Sequence, residues 1–338
     1  MIQTLLQRLT QSGDLSRQEA RDAMLLLMQG QASPPQIAAL LIALRMKGET
    51  VEEVTGFAEA MRELATRVIT HRKPLVDTCG TGGDRSNTFN ISTAAAFVAA
   101  GAGVAVAKHG NRSATSKCGS ADVLEALGVN VDVDATRVGR CIDEVGIGFL
   151  FARALHTAMK HVAPVRQEIK GVPTVFNLLG PLTNPAGACG QVMGVFDKTW
   201  LSPLAEVLKN LGTRHAFVVA GADGLDEFTL TTHTLVAEAR KDSVRTYEIT
   251  PEQLGFKRCE RGALIGGDAM DNARILLEVF DGVPGPRRDI VVLNAAAAIL
   301  VGDAASDWTE AIAKANAAID SGAAREKLES LIKVTHDS

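Results

Sequence analysis

The sequence predicts an α/β protein in which a small all-helical N-terminal domain precedes a larger domain with a mostly parallel central sheet flanked by helices. Two observations support this fold class. Helix-start signals and helical apolar spacing fill the first seventy residues or so, whereas short apolar runs alternate with helical patterns from Pro74 onward. We therefore expect a helical domain over residues 1–70, joined by helices from about 164–186, and an α/β domain formed by residues 71–163 and 187–338.

Capping motifs mark the starts of the N-terminal helices. Ser16–Glu19 and Thr50–Glu53 match the S/T-x-x-E capping box, and Ser33-Pro34 places proline at the first helical position. Apolar residues at helical spacing then form two faces, Ile37, Leu40, Leu41 and Leu44, and Val54, Phe57, Ala58, Met61 and Leu64. Such faces are covered either by each other within the domain or by a second subunit, and the sequence alone favours neither.

Short apolar runs predict the strands of the second domain. They are Leu75-Val76, Val104–Ala107, Gln191–Phe196 and Ala216–Ala220. Leu235–Ile249 alternates around Lys241-Asp242-Ser243 and predicts an antiparallel hairpin, either at an edge of the main sheet or outside it. The remaining segments between the strands have helical patterns, which is the arrangement of an α/β domain.

Composition and charge exclude several classes of protein. The 338 residues are 46% apolar, and 35 basic against 39 acidic residues give a formal charge of -4, which offers no electrostatic footprint for nucleic acid or an anionic membrane. The apolar stretches Ala94–Ala107 and Ile290–Val301 are short for a bilayer span. The N-terminus lacks the pattern of a secretory signal, and the five cysteines form no C-x-x-C pair, so we expect a cytoplasmic protein with free thiols.

Two short polar segments near the start of the second domain, here called polar islands, are typical of a phosphate site. The first, CGTGGD, places Gly80, Gly82 and Gly83 after a buried strand, where the backbone can take positive φ and approach an anion. The second, NIST at residues 90–93, precedes a run of Ala, Phe and Val that predicts a buried helix. The free N–H groups and dipole of its first turn favour phosphate, and its Ser and Thr hydroxyls add donors.

A third island, KHGNR at residues 108–112, follows the predicted strand Val104–Ala107. We expect it to form one loop at the carboxyl end of that strand, the edge at which ligands bind open α/β sheets. Its Lys, His and Arg supply three potential cations for a polyanion. The alternative is a solvated basic turn.

The fourth candidate segment contains two adjacent carboxylates. Asp226-Glu227 follows Gly224-Leu225 just beyond the predicted strand Ala216–Ala220, and the glycine permits a turn. Mg²⁺ prefers one or two carboxylates, with water and substrate phosphates completing its octahedron. The pair therefore suits a metal that holds a pyrophosphate, the alternative being two solvated acids in a loop.

The motifs CGTGGD, NIST, KHGNR, GSADVLEALG, GPLTNPA and GLDE resemble those of the anthranilate phosphoribosyltransferase family, over almost the whole chain from Arg45–Gly48 to Gly285–Asp289. The resemblance implies a fold like that of the nucleoside phosphorylases and transfer of the phosphoribosyl group of 5-phosphoribosyl 1-pyrophosphate (PRPP) to the amine of anthranilate. The products are N-(5-phosphoribosyl)anthranilate and pyrophosphate, in the second step of tryptophan biosynthesis from chorismate. It also implies two Mg²⁺ per subunit, no organic cofactor, and a homodimer formed through the helical domain.

The resemblance assigns residues to three sites. The residues implied for PRPP are Gly80, Gly82, Gly83, Asp84, Thr88, Asn90, Ile91, Ser92, Thr93, Lys108, His109, Gly110, Asn111 and Ser120. Those implied for anthranilate are Gly80, His109, Asn111, His156, Arg166 and Gly180. Those implied for Mg²⁺ are Asp226 and Glu227 for one ion, and Glu227 with Ser92 for another. Without the resemblance, Arg166 is typical of a surface ion pair and His156 of a packed or exposed histidine.

Two departures from the family pattern concern Cys118, where serine is common, and Thr157, where proline is frequent. A thiol donates more weakly than a hydroxyl, so a phosphate contact at Cys118 would be weaker. An aromatic amine is neutral at pH 7 and needs no strong general base, and the sequence offers no clear residue for that role.

Three other classes of protein fit the sequence less well. A pyrimidine nucleoside phosphorylase differs after the lysine of its phosphate loop and lacks the paired acids. A non-catalytic relative that binds nucleic acid disagrees with the negative charge and the 4% aromatic content. A Rossmann dehydrogenase needs G-x-G-x-x-G, a spacing that CGTGGD does not have.

Overall fold

The computed structural model describes residues 1–83, 86–113 and 117–337, and within these ranges a helical N-terminal region precedes alternating strands and helices, including a strand over Ile147–Phe151 that was not predicted from the sequence. The helices are α1 (Ile2–Thr10), α2 (Arg17–Met28), α3 (Pro34–Lys47), α4 (Val51–Leu64), α5 (Ile91–Gly101), α6 (Ser120–Ala126), α7 (Ala135–Val145), α8 (Ala152–Leu155), α9 (Ala163–Glu168), α10 (Phe176–Leu182), α11 (Leu201–Asn210), α12 (Ala269–Phe280), α13 (Pro286–Val301), α14 (Trp308–Asp320) and α15 (Ala323–His336). The strands are β1 (Leu75–Gly80), β2 (Ala105–Gly110), β3 (Ile147–Phe151), β4 (Gly190–Gly194), β5 (His215–Gly221), β6 (Thr234–Arg240) and β7 (Ser243–Ile249).

The N-terminal helices begin where the capping motifs predict. In α2, the Glu19 backbone N–H donates to Ser16 Oγ (3.3 Å) and the Ser16 N–H donates to the Glu19 carboxylate (2.9 Å). The reciprocal bonds at the start of α4 are 3.2 and 2.8 Å long, and α3 begins at Pro34. The predicted helical character of this region is confirmed, and in α2 and α4 side chains satisfy orphan N–H groups of the first turn.

The strands form one seven-stranded sheet in the order β3-β2-β1-β4-β5-β6-β7 within the described ranges. The first five strands in that order are parallel, and β6 and β7 are antiparallel, so the predicted hairpin is confirmed as the edge of the main sheet. The chain fills the β1, β2, β3 side first and then crosses back to β4. This reversal of direction at β1 is a topological switch point, where open α/β sheets bind ligands.

Apolar clusters cover both faces of the sheet. On one face, α5, α13, α14 and α15 pack over β1, β2 and β5, and Ala94–Ala100 and Ile290–Val301 are buried there. On the other face, the core of the helical bundle continues into Met193 of β4 and Val218 of β5, together with α11. The helices α9 and α10 belong to this second cluster through Val165 and Leu179.

A search of the described helices finds none with the length and apolar character required to cross a lipid bilayer.

Candidate active site

The glycine loop after β1 has the backbone geometry that the sequence predicts. Gly82 and Gly83 adopt φ of 64° and 88°, in the left-handed region that favours glycine. The Gly82 N–H donates to Asp226 Oδ2 over 3.1 Å, so the loop already holds a carboxylate. A Cβ on Gly80 would lie 2.4 Å from the same oxygen, which explains why glycine ends this strand. Asp84, also assigned to PRPP, lies outside the described residues.

The acidic turn after β5 reaches over the ends of β4 and β1. Gly224 takes φ of 88°, and Asp223 Oδ1 accepts from the Leu225 N–H at 3.2 Å, which fixes the turn. A Cβ on Gly194, the last residue of β4, would lie only 1.5 Å from the Asp226 carbonyl oxygen. Gly194, which sequence reasoning missed, is therefore required for the close approach of Asp226 to the glycine loop.

At the start of α5, backbone groups rather than the Asn90 and Ile91 side chains are available to a ligand. Asn90 precedes the helix, but its side chain donates to Cys118 O (3.3 Å) and accepts from Asn272 Nδ2 (3.0 Å). Ile91 is buried in the core, so only its backbone is available to a ligand. Within the described ranges, the buried Thr93 Oγ1 has no hydrogen-bond partner. Thr88 forms an isolated bridge with Ile265 ahead of this helix.

Lys108, His109 and Gly110 lie within β2, so the prediction of a loop beginning at residue 108 is wrong. The strand extends because β3 continues to pair with it as far as Gly110 and Phe151. Lys108 is buried, and its ammonium donates to Thr78 O (2.5 Å) and Ser92 Oγ (3.4 Å). Burial lowers the pKa of Lys108, while the nearby charges of Asp77 and Glu227 act in the opposite direction. The lysine therefore points at the first turn of α5 and towards the acid pair.

His109 and His156 form a buried pair. Their Nε2 atoms are 3.2 Å apart, and His109 Nδ1 is 3.1 Å from Gly180 O. A carbonyl only accepts, so His109 Nδ1–H donates to it, and in the neutral ring the His109 Nε2 that faces His156 is an acceptor. Burial lowers the pKa of His109 to about 3, with a further contribution from His156, and burial lowers the pKa of His156 to about 4. Both rings are neutral at pH 7, so His109 does not supply the predicted cation.

Arg112, the third predicted cation, is occupied elsewhere. Its guanidinium pairs with Glu125 at 2.5 and 2.6 Å on the protein surface. The backbone around it is ordered by Ser120, at the start of α6, whose Oγ donates to Asn111 O at 3.2 Å. A Cβ on Gly110 would lie 2.2 Å from that hydroxyl, which requires glycine there. Asn111 itself is exposed at the end of β2, in reach of a ligand.

Arg166 is a largely desolvated cation on α9. Burial lowers the pKa of its guanidinium, which stacks over the Phe176 ring at 5.0 Å. No acidic side chain pairs with Arg166 in the described parts of the chain. Phe176 begins α10, the helix that carries Gly180, and a Cβ on Gly180 would meet no atom within 4 Å. Gly180 therefore faces open space, and its carbonyl lies beside the His109 ring.

The acid pair fits Mg²⁺ rather than a closed metal centre. Within the described ranges, no group of three or more His, Cys, Asp or Glu side chains is arranged to hold a metal. Asp226 and Glu227 are adjacent and half-buried. The ammonium of Lys108 interacts with the charge of Glu227 and donates a hydrogen bond to Ser92 Oγ. Two carboxylates and a hydroxyl suit an ion whose remaining ligands are water and phosphate oxygens.

A glycine loop whose N–H holds a carboxylate and an acid pair lie together at the carboxyl ends of β1 and β4, in a protein that joins a helical bundle to an α/β sheet, and this combination is that of a glycosyl transferase family. The helical bundle domain of a glycosyl transferase family matches residues 3–65, and the a/b domain of that family matches residues 72–325. The chain belongs to this family and, within it, to the anthranilate phosphoribosyltransferases.

Three relatives support this assignment. The anthranilate phosphoribosyltransferase of Symbiobacterium thermophilum is 57% identical over 335 residues, covering 99% of this chain and 98% of the relative. The crystal structure of the Thermus thermophilus enzyme is 45% identical with a TM-score of 0.93, over 98% of this chain and 99% of that one.

The third relative is the Saccharomyces cerevisiae anthranilate phosphoribosyltransferase, at 29% identity. Its structure in complex with PRPP and Mg has a TM-score of 0.89, over 99% of this chain and 97% of that one. Its complex with 4-fluoroanthranilate has a TM-score of 0.87, over 99% and 98%.

Sequence reasoning missed several residues of the site. Asp77 and Asn184 are buried polar side chains at the base of β1 and β2, and Phe176 supports Arg166. The sequence does contain one indication of Asp77. A carboxylate inside the apolar run LVDT is costly to bury without partners, so its position indicates a paired, buried side chain.

Proposed function

We propose that this chain transfers the phosphoribosyl group of PRPP to the amine of anthranilate, releasing pyrophosphate. One observation carries the proposal: the chain combines a loop that binds a carboxylate through the Gly82 N–H with a half-buried arginine, Arg166, that lacks an acidic partner in the described structure. The first feature suits a phosphorylated donor with its metal, and the second suits a carboxylated acceptor.

The donor is held mainly by backbone. In the proposal, the N–H groups of the glycine loop and of the first turn of α5 face the phosphates, and Lys108 adds charge. The residues that we assign to PRPP are Gly80, Gly82, Gly83, Asp84, Thr88, Asn90, Ile91, Ser92, Thr93, Lys108, His109, Gly110, Asn111 and Ser120. The buried Thr93 hydroxyl, which has no hydrogen-bond partner in the described ranges, and the glycine torsions support this assignment.

The acceptor lies on the other side of the His109 ring. Arg166 presents a planar guanidinium that suits a carboxylate in a bidentate arrangement, and Asn111 adds an amide. His109, His156 and Gly180 line the slot with neutral groups, which avoids competition with Arg166 for the carboxylate. Anthranilate combines an aromatic ring, a carboxylate and an adjacent amine.

Mg²⁺ is the metal that the donor set favours, and two ions per subunit are part of the proposal. Asp226 and Glu227 would hold one ion, and Glu227 with Ser92 the other, with no organic cofactor. Bound Mg²⁺ neutralises the charge of the departing pyrophosphate.

The chain's own residues contribute position and electrostatics. The amine lone pair forms the bond to the ribose anomeric carbon while the bond to the pyrophosphate oxygen breaks, and the amine proton goes to solvent. Glycine-loop N–H groups stabilise the leaving charge. Arg166 and the histidine pair orient the acceptor, and the low pKa values of both histidines make them weak bases at pH 7.

The assembly and location of the protein are part of the same proposal. The helical domain at residues 1–70, with helices from about 164–186, would form a homodimer, supported by Met46, which is 82% exposed at the end of α3. Residues 71–163 and 187–338 would form the phosphoribosyl-binding domain. We propose a cytoplasmic enzyme that binds neither nucleic acid nor membrane.

Anthranilate fluorescence tests the proposed reaction. Purified protein, PRPP and Mg²⁺ should cause a decay of anthranilate fluorescence that stops when EDTA is added or PRPP is omitted. A flat trace from folded protein would refute the proposed acceptor, and other amines and nucleobases would then be screened. Light scattering on the same preparation reports whether the mass is that of a dimer.

A further inference from the structure

Strands β1 and β2 separate just below the proposed site. They pair only at Leu75 with Ala105 and at Val76 with Val106. Beyond these pairs both strands continue, β1 pairing with β4 up to Gly80 and β2 pairing with β3 up to Gly110. The sheet therefore opens a gap between its two central strands, and the backbone groups that face the gap need other partners.

Asp77 and Asn184 fill this gap. Asp77 is fully buried, and its Oδ1 accepts from the His109 backbone N–H at 3.0 Å. Its Oδ2 accepts from Asn184 Nδ2 at 2.8 Å, and the same amide nitrogen donates to Ala107 O at 2.8 Å. The two side chains thus replace the ladder hydrogen bonds that β1 and β2 no longer make to each other.

Lys108 also spans the gap, from β2 to Thr78 O on β1. Burial raises the pKa of the Asp77 carboxyl, and the Asn184 amide and the Lys108 charge oppose that rise. A buried carboxylate is tolerated here because N–H donors and a cation surround it. Asp77 therefore contacts the backbone of one acceptor residue and lies near the ammonium of one donor residue.

Asn184 extends the same network to α10. It follows Thr183, whose Oγ1 donates to Gly180 O at 3.1 Å, and Gly180 O also accepts from His109. The Ala186 N–H donates to Asn184 Oδ1 at 2.9 Å, which fixes the orientation of the amide. The position of α10 is in this way tied to the same carboxylate that holds β2.

We propose that Asp77 is a positioning residue that sets the width of the β1–β2 gap and thereby the distance between the phosphate cradle and the acceptor slot. The inference rests on the proposed function. Asp77 reaches the acceptor through the His109 backbone and through Asn184. In the described residues it makes no hydrogen bond to Gly82, Gly83 or α5, and it reaches the donor side through the charge of Lys108. Its loss therefore affects use of the acceptor more than binding of the donor.

The test exchanges the two side chains. In Asp77→Asn, an amide N–H faces Asn184 Nδ2, so two donors meet and the pair separates. Asn184→Asp on its own places two carboxylates together. The double variant restores a donor and an acceptor between the positions, although Ala107 O loses its partner. A carboxylate of similar burial on β6, Glu238, provides the matched control Glu238→Gln.

Turnover of the wild-type protein is measured first, so that absence of the proposed reaction is distinguished from failure of the proposed role of Asp77. We expect Asp77→Asn to lower kcat/KM for anthranilate by about 30-fold or more, with the Kd for PRPP within about 3-fold, because misplacement mainly affects orientation. The double variant should recover at least about a third of that loss on a logarithmic scale. Glu238→Gln should leave both constants within about 2-fold.

Two results would overturn the proposal: an Asp77→Asn enzyme with an unchanged anthranilate kcat/KM, or a double variant no better than the worse single variant. If Asp77→Asn does not fold, Asn184→Ala serves instead, because it keeps the Asp77 bond to His109. We then expect a loss of about 10-fold for anthranilate alone, and equal losses for both substrates would contradict the assigned role.

Discussion

Replacing Arg166 with alanine tests the acceptor site most sharply. The guanidinium is largely desolvated and held over the Phe176 ring at 5.0 Å, with no acidic partner in the described structure. Much of the free energy required to order and dehydrate this guanidinium is therefore expended when the protein folds rather than when the ligand binds. A carboxylate that enters the slot gains a charge-assisted, bidentate contact at little further expense.

The expected loss follows from that contact. Hydrogen bonds to charged groups contribute about 1.5–3 kcal/mol each, so two bonds to one carboxylate suggest a net loss of ~3 kcal/mol in Arg166→Ala. This corresponds to roughly a hundred-fold fall in kcat/KM for anthranilate. Arg166→Lys keeps the charge but not the planar fork and should lose about 10-fold. The Kd for PRPP should change little, because no hydrogen bond or ion pair joins Arg166 to a PRPP residue within the described ranges.

The assay combines initial rates at varied anthranilate with calorimetric titration of PRPP in Mg²⁺. Arg153→Ala, which removes an exposed arginine of the neighbouring helix α8, is the control for loss of positive charge. The reasoning is refuted if Arg166→Ala weakens PRPP binding as much as it weakens anthranilate use. It is refuted equally if Arg153→Ala has the same effect.

Three further predictions concern the metal, the support of Arg166 and pH. Asp226→Asn should raise the Mg²⁺ concentration needed for half-maximal turnover by about 10-fold or more, because it removes a ligand charge, and a Mg²⁺ titration that matches wild type would contradict this. Phe176→Leu should raise the KM for anthranilate by about 3- to 10-fold through loss of the cation–π contact, with recovery in Phe176→Tyr as the check in initial-rate assays. The pKa values of His109 and His156 fall on folding from near 6.5 to about 3 and about 4, so the unfolded chain binds more protons as the pH falls. Denaturant titrations should therefore show the free energy of unfolding decreasing from pH 6.5 to 5 by about 1.6 kcal/mol per histidine, with a smaller slope in His156→Gln.

Local signals in the sequence predict the fold well. Capping boxes act within one turn of a helix, so Ser16 and Thr50 mark helix starts without reference to the rest of the chain. The same is true of Gly82 and Gly83, whose positive φ follows from the glycine loop itself. The hairpin of β6 and β7 is equally local, although its place at the edge of the main sheet depends on pairing with β5.

Features that depend on distant parts of the chain are either not predicted from the sequence or predicted wrongly. Lys108 and His109 lie on a strand because β3 pairs with them, and no local pattern reports the length of that partner. The low pKa of His109 arises from burial beneath α10, nearly seventy positions away in the sequence. Asp77 and Asn184 likewise come together only when two strands and a helix end meet.

The central claim is that the phosphoribosyl group goes to anthranilate rather than to water. A ³¹P NMR time course of PRPP with the enzyme and Mg²⁺, run with and without anthranilate, tests this directly. We expect pyrophosphate to appear only when anthranilate is present, in a one-to-one ratio with the anthranilate consumed. Release of pyrophosphate at the same rate without anthranilate would contradict the account, because the acceptor slot would then have no role in the reaction.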